Sequence, residues 1–282
     1  MLMFGSLRAS GHRKCSCLLV ARRSSSTSSS THNPPSVSLD FHRDASLAIL
    51  TLCNAQRRNA LTYSMMHQLD AHVNTLHEWS RDISQNSARV LILTGSGGSF
   101  CAGLDIKQDD DKDVLQDGRE MTQHMSRVTN CIQALPVLSV AAIDGNAIGG
   151  GAELSTCTDL VVLSRQSTIK FVHASRGASP GWGGGRRLQK RVGRRKALRM
   201  LLLGESVFGE EEAEQLDYAD YVAEEGESSL DAAMRLVVDP ILNLPCSQSV
   251  RAIKRVVSVA DGDEDVIDTA SGRLRDVATD AT

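Results

Sequence analysis

An α/β fold is predicted for this 282-residue chain on three observations. Short apolar runs read as buried strands, segments of helical period lie between them, and two glycine clusters stand directly after two of those runs. Strand, helix, strand, helix in succession argues for parallel βαβ units, since a parallel pair needs a crossover long enough to hold a helix. Toward its end the chain reads as increasingly helical, so helices gather there.

The elements follow in order. "VSLDFHRDASLAILTLCN" alternates apolar and polar residues around a break, which fits two strands joined by a turn at "HRDA". In "ALTYSMMHQLDAHVNTLHEWSRD", Leu61, Met65, Leu69, Val73 and Leu76 recur at helical spacing, with Thr62 and Ser64 as candidate caps. "ARVLILTG" is an apolar run ended by glycine, short enough for a buried parallel strand. "REMTQHMSRVTNCIQALP" reads as a helix closed by Pro136, "LSVAAIDG" as a second buried strand, "AELSTCTDL" as the start of another helix and "LVVLSRQSTIKFV" as strand-like. "GGGRRLQKRVGRRKALRMLLLG" reads as a basic helix or helix pair stopped by Gly204, and "GEEEAEQLDYADYVAE" and "SLDAAMRLVVDPIL" as further helical segments.

Bulk properties exclude some roles. A formal net charge of -3 and a pI near 6.2 lend no support to a protein that works on nucleic acid or a membrane surface. No apolar run approaches the roughly 20 residues that span a bilayer. The seven cysteines form no CxxC pair and sit mostly in apolar surroundings, which argues against a disulfide framework or a zinc site. Residues 1–36 differ in kind: arginine, lysine and many serines occur, with no acid before Asp40. That is the composition of an organelle-targeting presequence, which implies a mitochondrial protein; a low-complexity tail on a cytosolic one is the alternative.

The glycine clusters are "GSGGSFCAGLDIK" after "VLILT" and "GNAIGGGAELSTCTDL" after "SVAAI". Ligands of open α/β sheets bind beyond the carboxyl ends of strands, so two such loops can converge on one site. Neither cluster closes with the Lys-Ser or Lys-Thr of a phosphate-binding loop, and neither spells the dinucleotide fingerprint. An oxyanion hole fits better. It needs two backbone N–H donors aimed at one oxygen, and glycine lets the chain approach without a Cβ in the way. Glu153 would then hang from the first turn of a helix beside that oxygen. The alternative is that Gly149 to Gly151 only permit close helix packing and that Glu153 is a first-turn dipole partner.

Taken in order, "RRNAL", "GSFCAGLDIK", "GNAIGGGAELSTCTDL" and "SPGWGGGRRL" resemble the crotonase, or enoyl-CoA hydratase/isomerase, superfamily over roughly Val37 to Ala260. The resemblance implies a spiral of repeated ββα units over residues 37–240 and a helical C-terminal region over 241–282, shortened relative to family members. It also implies a homotrimer or hexamer and an acyl-CoA thioester substrate, with coenzyme A as part of that substrate, no other cofactor and no metal. Carried over by position, the amides of Leu104 and Gly150 form the oxyanion hole. Leu104, Asp105, Ile106 and Lys107 line the acyl-CoA site, and Arg58 and Ala60, within "RRNA", lie near the CoA moiety. Glu153 matches the first catalytic glutamate of the family.

The second glutamate is missing. Its position, four residues before the glycine of the "GASPG" turn, holds His173. One carboxylate cannot supply the paired geometry that hydration uses. "IKFVHASRGASPGWGGGRRL" is most similar to the branch that decarboxylates ethylmalonyl-CoA and, less well, methylmalonyl-CoA, through its F-V-H and P-x-W-G-G elements. The resemblance therefore implies CO₂ loss through an enolate, with Glu153 and His173 as catalytic residues. Either could return the proton, Glu153 only if neutral. Trp182 reads as a pocket wall, Asp105 as a cap for the helix after "CAGLD", and "KQDDDKD" as a solvated loop. "RRLQKRVGRRK" reads as a solvated helix face or a contact for the CoA phosphates. Two other functions stand beside this one: a hydratase or isomerase using Glu153 alone, and a non-catalytic crotonase-fold binding protein that meets RNA through the basic run. Neither nucleic acid nor membrane is otherwise an expected partner.

Overall fold

The computed structural model describes residues 34–44, 46–81, 88–105 and 114–260, all within one compact unit, Pro34–Thr282. The chain opens with a hairpin in which β1 (Ser36–His42) pairs antiparallel with β2 (Leu47–Cys53), Ser36 facing Cys53 and His42 facing Leu47. Arg43 and Asp44 turn the corner with φ of 53° and 54°. From β2 onward the main sheet is parallel: β3 (Val90–Gly95), β4 (Leu138–Ile143), β6 (Leu160–Leu163) and β9 (Tyr221–Val222) add in the order β1-β2-β3-β4-β6-β9. A second, smaller sheet holds β5 (Asn146–Ile148), β7 (Thr168–Lys170) and β8 (Val207–Phe208).

The apolar run of β3 is buried on both faces, as a central parallel strand requires. Leu91 and Leu93 pack with Leu69, Val73 and Leu76 of α1 (Tyr63–Arg81), on the side also covered by α2 (Val114–Ala134). Val90 and Ile92, pointing the other way, join Ala232 of α6 (Ser229–Ala233) and Val237 in a second cluster. The expected cap holds at the start of α1, where the Thr62 hydroxyl accepts the Met65 amide at 3.2 Å. The late helices α7 (Asp239–Leu242) and α8 (Ser247–Ala260) bear out helical character toward the end.

Three local expectations need correction. "AELSTCTDL" does not propagate a helix: α3 runs only Gly150–Ser155. The Thr156 and Thr158 hydroxyls turn back onto the carbonyls of Glu153 (2.6 Å) and Ser155 (3.0 Å), and these local bonds compete with helix continuation. "LVVLSRQSTIKFV" is two strands in different sheets, separated by a turn closed between the Ser164 and Ser167 hydroxyls at 2.8 Å. The second half of "GEEEAEQLDYADYVAE" is not helical. Helix α5 (Gly209–Leu216) ends in left-handed Asp217, and the chain then pairs as β9 against the open edge of β6. Asp220 fixes that pairing, its carboxylate accepting the Val161 amide at 2.7 Å and its own amide reaching the Val161 carbonyl at 2.9 Å.

The basic segment forms α4 (Gly184–Leu198), broken at Gly193 (φ 78°, ψ 160°) and carried on by a π-turn, Arg199–Leu203, to left-handed Gly204. It is a helix pair with the predicted stop.

Candidate active site

The parallel register of β5 on β7, Ile148 facing Lys170, sets two chain segments side by side beyond those strands: Gly149–Glu153 and Phe171–His173. A third segment enters from β3. Cys101 bridges to Ala147, its amide bonding the Asn146 carbonyl and its own carbonyl accepting from Ile148, both at 2.9 Å. Beyond it Leu104 forms a parallel bridge with Leu61, through Leu61 N–H to Gly103 C=O (2.7 Å) and Asp105 N–H to Leu61 C=O (2.9 Å). In a parallel bridge the flanking residues carry the bonds, so the Leu104 amide faces away from Leu61. A Cβ placed on neighbouring Gly103 would lie 3.2 Å from the Gly150 nitrogen. The two loops expected to converge do abut. Among the described residues, the amides of Leu104 and Gly150 make no hydrogen bond; that of Gly150 is an orphan donor of the first helical turn.

The glycine run meets two neighbours at once. A side chain on Gly150 would collide with the indole of Trp182, and one on Gly151 with the carbonyl oxygen of Cys101. Close packing, the alternative reading, is thus a real demand here, and it is also what brings the Gly150 amide beside the Leu104 loop.

Glu153 is 1 % exposed, and both its oxygens are taken. Oε2 accepts the amides of Trp182 (2.8 Å) and Gly184 (3.0 Å); Oε1 accepts the amide of Gly181 (3.2 Å) and lies 2.9 Å from His173 Nε2. A carboxylate surrounded by donors is an acceptor only, so this Glu153 is not set up to give a proton. The reading in which it serves as a neutral donor does not suit this geometry. His173 Nε2 donates to it, which leaves Nδ1 as the ring's other polar edge, buried and without a partner among the described residues.

Beneath the turn lies a group that the sequence reading passed over. Arg187, 5 % exposed, donates through Nη2 to the Trp182 carbonyl (2.5 Å), through Nη1 to Asn130 Oδ1 (3.0 Å) and through Nε to the Thr156 hydroxyl (3.1 Å). Thr129 also reaches the Trp182 carbonyl, at 2.7 Å. The Trp182 backbone is therefore clamped between Glu153 on its N–H and Arg187 on its C=O. Burial pulls Arg187 below the usual guanidinium value, with Cys157 and Glu153 opposing the shift. The basic run is accordingly not uniformly a solvated face. Arg186, Arg194 and Arg195 are exposed, but Arg187 is internal, and Arg191 bonds the carbonyls of Thr158 (3.0 Å) and Asp159 (3.1 Å) and the carboxylate of Asp220 (3.0 Å). A signal was present: Gly184, Arg187, Leu188 and Val192 share one helical phase, and Leu188 and Val192 are apolar.

A cavity of about 430 Å³ opens beside Leu104, lined by Arg57, Arg58, Ala60, Asp105 and Arg176 among others. Arg58 and Asn59 take left-handed conformations (φ 51° and 55°). Buried Asn59 holds them there, donating to the carbonyls of Ser96 (2.8 Å) and Ser99 (2.6 Å) and accepting the Asn54 amide (2.7 Å). Asp105 is nearly buried and pairs with Arg57 at 3.4 Å. Its expected capped helix, like Ile106 and Lys107, lies outside the described residues. Burial pushes the Cys101 thiol up to about 12 and that of Cys157 to about 11, so neither is an available nucleophile. Among the described residues, no three His, Cys, Asp or Glu side chains gather as a metal site would, and no helix is long and apolar enough to cross a membrane.

The sequence profile for enoyl-CoA hydratase/isomerase matches residues 42–255. The chain belongs to that family. Curated relatives of this hydratase/isomerase family member include ethylmalonyl-CoA decarboxylase of Danio rerio, 33 % identical over 79 % of this chain and 72 % of the relative. The enzyme of the same name from Rattus norvegicus is 32 % identical over 86 % and 79 %. That of Gallus gallus is 39 % identical, over 55 % of this chain and half (50 %) of the relative's length. Among solved structures, enoyl-CoA hydratase from Bacillus anthracis superposes with a TM-score of 0.71 at 23 % identity, covering 80 % of this chain and 83 % of that one, which supports the crotonase fold. A putative enoyl-CoA hydratase from Thermobifida fusca, solved with CoA, gives 0.69 at 25 % identity over 80 % and 85 %.

Proposed function

We propose that this protein decarboxylates a short 2-carboxyacyl-CoA, ethylmalonyl-CoA in preference to methylmalonyl-CoA. The observation that carries the reading is the pairing at the site floor: where a hydratase of this family would set a second glutamate, His173 stands with Nε2 against Glu153 at 2.9 Å. Two carboxylates that could hold a water between them are absent from this pair. The names of the relatives from zebrafish and rat point the same way, and the Thermobifida fusca structure solved with CoA supports a CoA thioester as substrate.

The reaction asks little of side chains. The bond between the α-carbon and the free carboxylate breaks, CO₂ leaves, and the electron pair moves into the thioester as an enolate. The amides of Leu104 and Gly150 receive that charge; in other enzymes one such donor is worth about 3 kcal/mol of barrier. Protonated His173 then gives a proton from Nδ1 to the α-carbon and regains one from solvent, while Glu153 orients the ring through Nε2. The thioester carbonyl is itself the electron sink, so the proposed step draws on no cofactor. We further propose a trimer or hexamer, for which exposed Leu202 (65 %), Leu203 (74 %) and Phe208 (59 %) offer apolar surface, and import into mitochondria directed by residues 1–36.

Ethylmalonyl-CoA, methylmalonyl-CoA and crotonyl-CoA, each incubated with the protein, separate the readings. Butyryl-CoA and CO₂ are expected from the first. Addition of water to crotonyl-CoA with no CO₂ released from the other two would reject the proposal in favour of a hydratase.

A further inference from the structure

The cavity beside Leu104 carries more positive charge than its own residues neutralise. Three arginines line it, Arg57, Arg58 and Arg176, against a single acid, Asp105, which pairs with Arg57. Arg58 and Arg176 make no side-chain hydrogen bond or ion pair with any described residue. They come from two separate segments of the chain. Arg58 comes from the left-handed corner that Asn59 anchors, and Arg176 from the 3-10 turn Ala174–Arg176. That turn is built on His173: the amides of Arg176 (2.9 Å) and Ala178 (3.0 Å) both bond the His173 carbonyl, and Gly177 ends it with a φ of 69°. Residues three apart in a 3-10 turn eclipse one another, so Arg176 stands over the same side of the turn as His173.

We infer that Arg176 and Arg58 form a two-sided anion clamp, and that Arg176 is the specificity-determining half, taking an anionic oxygen group of the ligand. The inference rests on the acyl-CoA reading above. The chemistry recognised is phosphate or carboxylate oxygen, which a planar guanidinium matches with two parallel N–H donors. Two parts of a 2-carboxyacyl-CoA carry it, the CoA phosphates and the free carboxylate. Because Arg176 shares its turn with His173, the anion it holds also fixes the turn from which His173 reaches Glu153.

Arg176→Met keeps the aliphatic stem and removes the charge at an exposed position that has no side-chain partner among the described residues, so folding is not at stake. Calorimetric titration of wild type and variant at low salt uses three ligands: butyryl-CoA, butyryl-pantetheine, and ethylmalonyl-pantetheine with the His173→Ala background to prevent turnover. A phosphate contact weakens butyryl-CoA alone by about tenfold, as expected for a lost charge-assisted bond. A carboxylate contact weakens ethylmalonyl-pantetheine alone to a similar extent. Either result, with butyryl-pantetheine unchanged and Arg176→Lys recovering part of the loss, supports the clamp. Equal affinities of wild type and variant for all three ligands, or no binding of any of them by the wild type, overturn it. Binding of butyryl-CoA does not depend on turnover. A protein that binds it through Arg176 yet releases no CO₂ from ethylmalonyl-CoA would refute the proposed reaction and leave the clamp standing.

Discussion

Around Glu153, at the floor of the site, each carboxylate oxygen faces two donors, and the Trp182 peptide between Glu153 and Arg187 is bonded on both sides. Around the mouth, Arg58 and Arg176 line the cavity with no partner among the described residues. The Glu153 carboxylate is held before any ligand arrives, by three backbone amides and the His173 ring. The mouth leaves charge in solvent, where keeping it unpaired costs little. Chemistry that must not pay reorganisation at the moment of reaction belongs in the first setting, and recognition of a charged ligand in the second.

The sharpest way to break the comparison is at the glycines. Gly151→Ala drives a methyl group into the Cys101 carbonyl, a backbone atom that cannot step aside. We expect a loss of 3 kcal/mol or more, at or beyond the upper end of the roughly 1–3 kcal/mol typical of overpacking, read as a lower denaturation midpoint or as insoluble protein. Gly150→Ala meets the rim of the Trp182 indole instead, which can shift, so its cost in stability should be smaller while the proposed decarboxylation still falls.

Next is Glu153→Gln. Whichever way the amide sits, its NH₂ faces at least one backbone N–H that formerly had an acceptor. A loss of about 3 kcal/mol in urea unfolding is expected, on the scale of a buried donor left unsatisfied beside a lost charge. Arg187→Met should cost a similar amount, about 3 kcal/mol, because the Trp182 carbonyl, Asn130 and Thr156 lose their shared donor. Arg187→Lys should recover little of it, since one ammonium cannot reproduce the three-way fork.

A pH series tests the floor from another side. Cys101 and Cys157 are pushed from the usual 9.0 to about 12 and about 11, and Tyr218 is raised by burial as well. Above pH 9 the unfolded chain loses thiol protons that the folded chain keeps, so the folded state binds more protons and stability falls as pH rises. The fall should begin near pH 9 and continue toward 11 to 12, followed by the denaturation midpoint. A flat profile through that window would mean these groups are not sealed in the native state. The smallest effect belongs to the mouth. Arg57→Ala removes an ion pair of 3.4 Å whose arginine is 46 % exposed, and should change stability by less than about 1 kcal/mol.

Much of the fold was legible because its strongest signals are periodic. The short run "VLILT" reads as a strand covered on two sides, and the spacing from Met65 to Leu76 buries one helical face, whereas Leu61, of the same spacing, precedes the helix and bridges Leu104 instead. Misreadings came where local and long-range bonding compete. "DYADYV" has helical composition, yet the free edge of β6 recruits Tyr221 and Val222 into the sheet. Among site residues, Leu104, Gly150, Glu153 and His173 were placed by motif, and the structure brings their segments together. Arg187 was hidden in a run of arginines that looks solvated, and Arg176 in a loop of no obvious pattern.

Sequence alone determined the first four strands, most helices, the two glycine loops and the substitution of histidine for a second acid, because spacing and residue type are local properties; β5, β8 and β9 escaped it. Only the tertiary structure decided that Glu153 spends its lone pairs on the Gly181–Gly184 turn, that one arginine of five between Arg186 and Arg195 is internal, and that Arg58 and Arg176 share a cavity. Those facts depend on which segments the sheet register sets side by side, and a chain read one residue at a time carries no record of its neighbours across the fold.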